Sequence, residues 1–129
     1  MTMLIALDTH AVVWWTLEPA RLGRAAAREI GRAERIGVPA ISFWEVAVLV
    51  RKGRLELDVS VGDWADRVLA IPKVECLAID DRIALRSEQL SMHADPADRF
   101  IVATAVERRA RLVTKDAALR RLKFVETVW

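Results

Sequence analysis

Apolar and polar positions alternate between two rhythms along the chain. Residues 3–7, Met3-Leu4-Ile5-Ala6-Leu7, form a short unbroken apolar run, the pattern of a strand buried on both faces of a parallel sheet. The run ends at a carboxylate, Asp8, and a helical pattern over residues 11–17 starts at once. Glu18-Pro19 breaks that helix. Residues 22–35 read as a second helix, with Leu22, Ala25, Ala26, Glu29, Ile30 and Ala33 at helical spacing and the charged residues on the solvated face. Residues 37–41 read as a second strand, and residues 42–52 as a helix stopped by Gly53. After a connection over 55–60, residues 61–71 read as a helix with Trp64, Val68 and Ile71 on one face, ended by Pro72. A third strand is expected at 74–79 and a helix at 80–92, with Ile83, Ala84 and Leu90 in the core. Residues 95–110 form the longest and most apolar helix of this reading. A strand at 111–114, a short helix at 117–122 and an edge strand at 124–128 complete it.

Strands that alternate with helices predict an α/β fold, a three-layer α/β/α sandwich around a central, mainly parallel sheet. At 129 residues one domain, 1–129, is the expectation. No repeat, low-complexity stretch or linker interrupts it. In open α/β sheets ligands bind where the carboxyl ends of the strands meet the loops, and Asp8 stands at such an end.

Composition narrows the class without naming an activity. The chain is 53% hydrophobic and 29% charged, which suits a globular domain rather than a disordered one. Its net charge of +2 is too small to argue for nucleic acid. The basic residues are mostly Arg, which suits phosphate, but a general Arg bias gives the same count. Cys76 is the single cysteine, so no intramolecular disulfide forms and a reducing compartment fits. Its place in an apolar run predicts an inert core thiol. No signal-peptide pattern opens the chain, and no run reaches the roughly 18 apolar residues of a membrane span. A soluble, cytoplasmic protein with no membrane partner is expected.

Three more carboxylates stand as Asp8 does, at a strand-to-helix junction or a helix start: Glu45 in Ser42-Phe43-Trp44-Glu45, Asp98 in Asp95-Pro96-Ala97-Asp98, and Asp116 in Thr114-Lys115-Asp116. Taken singly, helix capping explains each. Ser42-x-x-Glu45 is a capping box. Asp95 before Pro96 is an N-cap with a first-turn proline, which puts Asp98 at the third helical position. Thr114 or Asp116 caps the last helix. As a set they resist that explanation. Asp98 shares a helix face with Ile101, Val102 and Ala105, and Glu45 opens a run with no polar residue before Arg51. Carboxylates at the margin of a core are costly unless paired or coordinated. Few basic residues are placed to pair with all four. A divalent cation resolves their mutual repulsion, and Mg2+ or Mn2+ favours oxygen ligands.

Other chemistries find little support. Two histidines, His10 and His93, are too few and too far apart in sequence for a zinc site, and neither a P-loop nor a G-x-G-x-x-G occurs. The five tryptophans suit base stacking, core or subunit interface. Arg99 and Lys115 adjoin two of the acids and are candidate phosphate contacts, or simply solvated charges.

Four segments in order, Leu7-Asp8-Thr9-His10, Ile41-Ser42-Phe43-Trp44-Glu45-Val46-Ala47, His93-Ala94-Asp95-Pro96-Ala97-Asp98-Arg99-Phe100-Ile101-Val102-Ala103-Thr104-Ala105 and Leu112-Val113-Thr114-Lys115-Asp116, resemble the PIN domain family and, within it, the VapC toxins of toxin–antitoxin pairs. The resemblance implies a PIN-like sheet flanked by helices and a metal-dependent ribonuclease. It carries the acidic site to Asp8, Glu45, Asp98 and Asp116, with Asp8 and Asp98 as principal ligands of Mg2+ (Mn2+ substituting) and no organic cofactor. It implies single-stranded RNA as substrate, a small antitoxin as partner, and a homodimer, for which the Val12-Val13-Trp14-Trp15 surface is a candidate. An aromatic residue often follows the last acid in the family; here Ala117-Ala118-Leu119 stand instead. Two rivals remain. One is a haloacid-dehalogenase-like phosphatase with Asp8 as nucleophile, against which His10 occupies the place of the usual second acid. The other is a non-catalytic α/β binding domain, which leaves the acids as caps alone.

Overall fold

The computed structural model describes residues 3–129. Its strands are β1 (Leu4–Leu7), β2 (Arg35–Pro39), β3 (Val74–Leu77), β4 (Arg111–Val113) and β5 (Thr127–Val128). They form one sheet in the order β3-β2-β1-β4-β5, and each neighbouring pair is parallel. Seven helices flank it among the described residues: α1 (Thr9–Leu17), α2 (Arg24–Arg32), α3 (Ala40–Arg51), α4 (Val61–Leu69), α5 (Asp81–Gln89), α6 (Pro96–Glu107) and α7 (Ala117–Arg120). None of them is long and apolar enough to cross a membrane.

The apolar run of β1 makes it the central strand. All four of its residues are buried, and alternate side chains enter opposite layers. Ile5 and Leu7 join a core with Val12 of α1, Ile30 of α2, Val46 of α3 and Trp64 of α4. Leu4 and Ala6 join a second core with Ile101 and Val102 of α6 and Leu119 of α7. The expected three layers are therefore present, with a core on each face of the sheet. From β1 the chain winds outward to β2 and β3, then returns to the other side of β1 as β4 and β5. The strand order reverses between β1 and β4, which opens a crevice beyond their carboxyl ends.

Several boundaries differ from the sequence expectation for non-local reasons. The second strand occupies Arg35–Pro39 rather than 37–41, and α2 stops at Arg32. Arg35 is held in the sheet by Glu75 of the neighbouring strand, with Nε donating to Oε2 at 2.9 Å. Gly37 lies beneath Leu77, whose Cδ1 would be 2.4 Å from a Cβ there, so a larger residue would force the Leu77 side chain to move. The strand then turns straight into α3 at Ala40, with Pro39 at the N-cap. The Ser42–Glu45 capping box is consequently not formed. Ser42 is fully buried and its Oγ has no partner among the described residues. Gly53 does follow the end of α3, at φ +71°, the left-handed geometry that terminates helices.

Cys76 is exposed, not core, because β3 is an edge strand whose apolar sequence is covered on fewer sides than expected. In α5 the buried face is Ile83 and Ser87, while Ala84 points outward. The helix α6 is matched in length by α3, at 12 residues each. The last strand is two residues rather than five.

Candidate active site

The crevice at the reversal point is bounded by whatever follows β1 and β4. Asp8 follows β1 directly. Its backbone N–H still donates to Val113 across the sheet at 3.1 Å, while its side chain caps α1, Oδ1 accepting from Ala11 N–H at 2.9 Å. The residue is 7% exposed. Burial pushes its carboxyl above the usual carboxylate range and outweighs the hydrogen bonds from Thr114 and Ala11 and the proximity of His10, which pull it down; Asp116 adds to the rise. After β4, Thr114 turns the chain, its Oγ1 accepting from Asp116 N–H at 3.0 Å. Asp116 then caps α7 through Leu119 N–H at 3.1 Å.

Two acids arrive from helices on opposite layers. Glu45, in the second turn of α3, accepts a short hydrogen bond from the Thr9 hydroxyl. Asp98 sits in the first turn of α6, whose N-cap is Asp95, with Asp95 Oδ1 accepting from Asp98 N–H at 3.1 Å. The capping role thus belongs to Asp95, and the Asp98 carboxylate is left for other work. Its Oδ2 lies 3.3 Å from His93 Nε2. Desolvation, then the charges of Asp95, Asp116 and Glu45, raise Asp98 to about 6 against a partial counterweight from His93. Asp8, Glu45, Asp98 and Asp116 all line one cleft of about 520 Å³, and Asp95 and Lys115 line it too. The structure therefore brings the four sequence-selected acids together.

Helix N-termini help to make this accumulation tolerable. The chains of α1, α6 and α7 all begin at the cleft, and their positive ends favour negative charge. The balance remains acidic, since five carboxylates line the cleft beside one lysine. As the side chains stand, no three His, Cys, Asp or Glu residues among those described are close enough to share one ion. The acids offer oxygen donors alone, the kind a hard divalent cation favours.

Some of the geometry was not in the sequence reading. Thr9 and Thr114 orient Glu45 and Asp8; Thr9 was marked only by its place after Asp8, and Thr114 only as a candidate helix cap. Trp14 lines the cleft, with its ring centroid 5.6 Å from Lys115 Nζ. Arg99 does not line it. Its guanidinium donates to the backbone carbonyls of Ser87, Leu90, Met92 and His93 at 2.9–3.0 Å, so it ties the α5–α6 loop to α6 instead of offering a phosphate contact at the cleft. Val12 and Val13 are 0% and 6% exposed, so the interface expected at Val12–Trp15 cannot include the valines. Trp14 and Trp15 are half-buried.

An all-parallel α/β sheet with acids gathered at its reversal point defines a class of domain before any comparison is made. The PIN domain model matches residues 5–125, and the chain belongs to the PIN domain family. It is 39% identical over 129 residues to Ribonuclease VapC22 of Mycobacterium tuberculosis, covering 97% of this chain and 98% of that protein. Its fold matches VapBC2 of Rickettsia felis, solved bound to a promoter DNA fragment, with a TM-score of 0.70, 16% identity and 98% of each chain covered. It also matches a toxin–antitoxin complex from Klebsiella pneumoniae, with a TM-score of 0.67, 19% identity and coverage of 97% and 96%.

Proposed function

We propose that this chain, as a single PIN domain, is a Mg2+-dependent endoribonuclease of single-stranded RNA and the toxin of a cytoplasmic toxin–antitoxin pair. The observation that carries the reading is the convergence of Asp8, Glu45, Asp98 and Asp116 on one cleft at the reversal point of the sheet. The whole-length similarity to a ribonuclease supports the reaction class. Neighbouring folds from toxin–antitoxin complexes support a small antitoxin as partner.

Asp8 and Asp98 would hold the principal ion, with Glu45 and Asp116 completing the acidic set. Bound there, Mg2+ or Mn2+ supplies an activated water and offsets charge on the phosphate. The protein's own part is placement. Capping bonds fix Asp8 and Asp116 by one oxygen each, and Thr9 fixes Glu45. Asp98, raised to about 6 without metal, would hold the ion in its charged form, so binding there would favour loss of its proton. Lys115, at the cleft, is the phosphate contact. A homodimer fits the apolar surface that α3 leaves uncovered, where Trp44 is 57% exposed.

The test is Asp98→Asn. Asn keeps the shape and the backbone pairing with Asp95 but loses the charge. Cleavage of a mixed single-stranded RNA pool in Mg2+ or Mn2+ should fall at least a hundredfold, with an unchanged circular dichroism spectrum, if transition-state charge stabilisation of the usual few kcal/mol is lost (roughly 10²-fold or more). Undiminished cleavage by the folded variant would remove the metal reading.

A further inference from the structure

The acids do not account for the whole lining of the cleft. Trp14 lines the cleft, the His10 ring lies 5.4 Å from its centroid, and Lys115 Nζ lies 5.6 Å away. An indole offers no ligand to a hard cation, and α1 already fills its core with Ala11, Val12 and Val13. The ring is also held firmly, packed edge-on against Trp129 at 5.6 Å. The indole and a lysine ammonium near it thus both line the cleft, and the indole is only half-buried. The second cation near the ring, Arg21 at 4.5 Å, does not line the cleft and forms only a loose pair with Glu18 at 3.8 Å.

Resting on the ribonuclease reading above, we propose that Trp14 and Lys115 form a nucleotide subsite beside the acids, in which a base of single-stranded RNA stacks on the Trp14 indole and Lys115 takes the adjoining phosphate. Stacking on an indole is tolerant of base identity, because every base has a π-face. The subsite therefore favours unpaired RNA over duplex, whose bases are already stacked, without demanding one sequence. Among the described residues Lys115 is the one lysine or arginine lining a cleft of five carboxylates, so the backbone enters from its side. As RNA arrives, the base takes the place beside the ring and the ammonium moves to the phosphate.

The test uses the full chain with Asp98→Asn added to stop cleavage, and fluorescein-labelled oligouridylate and oligoadenylate read by anisotropy in Mg2+. Wild-type metal-dependent cleavage is measured first. If it is absent the parent reading fails, independently of the subsite. Given a cleaving wild type, Trp14→Leu, which keeps apolar packing against Trp129, should weaken both oligomers roughly tenfold, and Trp14→Phe much less. Lys115→Gln should lower the slope of log affinity against log salt by about 0.7, one phosphate's share on a single strand. A 5-iodouridine oligomer should photo-cross-link to Trp14 in the unsubstituted binding site, a readout that does not depend on any Trp14 variant folding. Equal binding by folded Trp14→Leu, or a cross-link that maps elsewhere and never to Trp14, would overturn the subsite.

Discussion

A carboxylate has two oxygens, and Asp8 and Asp116 show why that matters. Each commits Oδ1 to a backbone N–H at a helix start. Both residues also line the cleft, so one residue is both cap and candidate ligand. A sequence presents these roles as rivals, and here they coexist. Asp98 is different, because Asp95 caps its helix and its own carboxylate stays clear of the backbone. Its pKa of about 6, against an ordinary 3.8, sets a pH dependence. Between those values the metal-free folded chain holds more of the proton than the unfolded chain does. Stability is therefore favoured at the acid end of this window and declines as pH rises through about 6, after which the penalty is constant. Asp8, raised in the same direction by burial, adds to the decline. In EDTA, Asp98→Asn should flatten the fall and make the protein more stable than wild type at pH 7 by about 1 kcal/mol, allowing for partial solvent screening. Urea denaturation of both forms at pH 5 and pH 7 checks it, and a wild type that is equally stable at both would contradict the strained site.

Elements were legible where their signals were local. Asp95-Pro96 announced the start of α6, and the observed cap is the expected one. Gly53 announced the end of α3. The start of α3 was illegible because the register of β2 is set across the sheet, by Arg35 against Glu75 and Gly37 under Leu77. That contact carries the strand into the helix two residues early and converts a plausible cap, Ser42, into a buried hydroxyl. The Arg99 clamp was hidden for the same reason. Beside Asp98 in sequence it looks like a ligand contact, and only the folded loop reveals the carbonyls it serves. Those bonds hold the loop that brings Asp95 to the cleft and His93 beside Asp98. Arg99→Ala should destabilise the fold by roughly 2–4 kcal/mol, since charge-assisted hydrogen bonds are worth about 1.5–3 kcal/mol each and do not add fully. Arg99→Lys, with fewer donors, should recover only part. Hydrogen exchange should quicken over residues 90–95 more than in β1, and uniform exchange would tell against a local clamp.

At the scale of the whole molecule, alternation of strands and helices foretold a parallel sheet, but not the order β3-β2-β1-β4-β5 that decides which loops meet. That order places the ends of β1 and β4 side by side and so brings residues more than a hundred positions apart into one cleft. The four acids were individually visible; their convergence depended on topology. On the proposed metal reading, the same arrangement would join metal binding to folding, since an ion held by residues that follow β1 and β4 would stabilise the native state by about 2.7 kcal/mol at a hundred times its Kd. Mn2+ at that excess should therefore raise Tm by roughly 10 °C for a domain of this size. Asp8→Asn should abolish most of that rise in differential scanning calorimetry, and a Tm indifferent to Mn2+ would separate the acids from metal. On the far side of β2, the edge strand β3 presents Cys76 to solvent. It is the chain's one thiol, two strands removed from β1 and outside the cleft lining. Partial burial raises its pKa, so conjugation proceeds best somewhat above neutral pH. A maleimide dye added to the unaltered protein thus lands at a single known place, and RNA or partner arrival becomes an optical signal without a residue being changed.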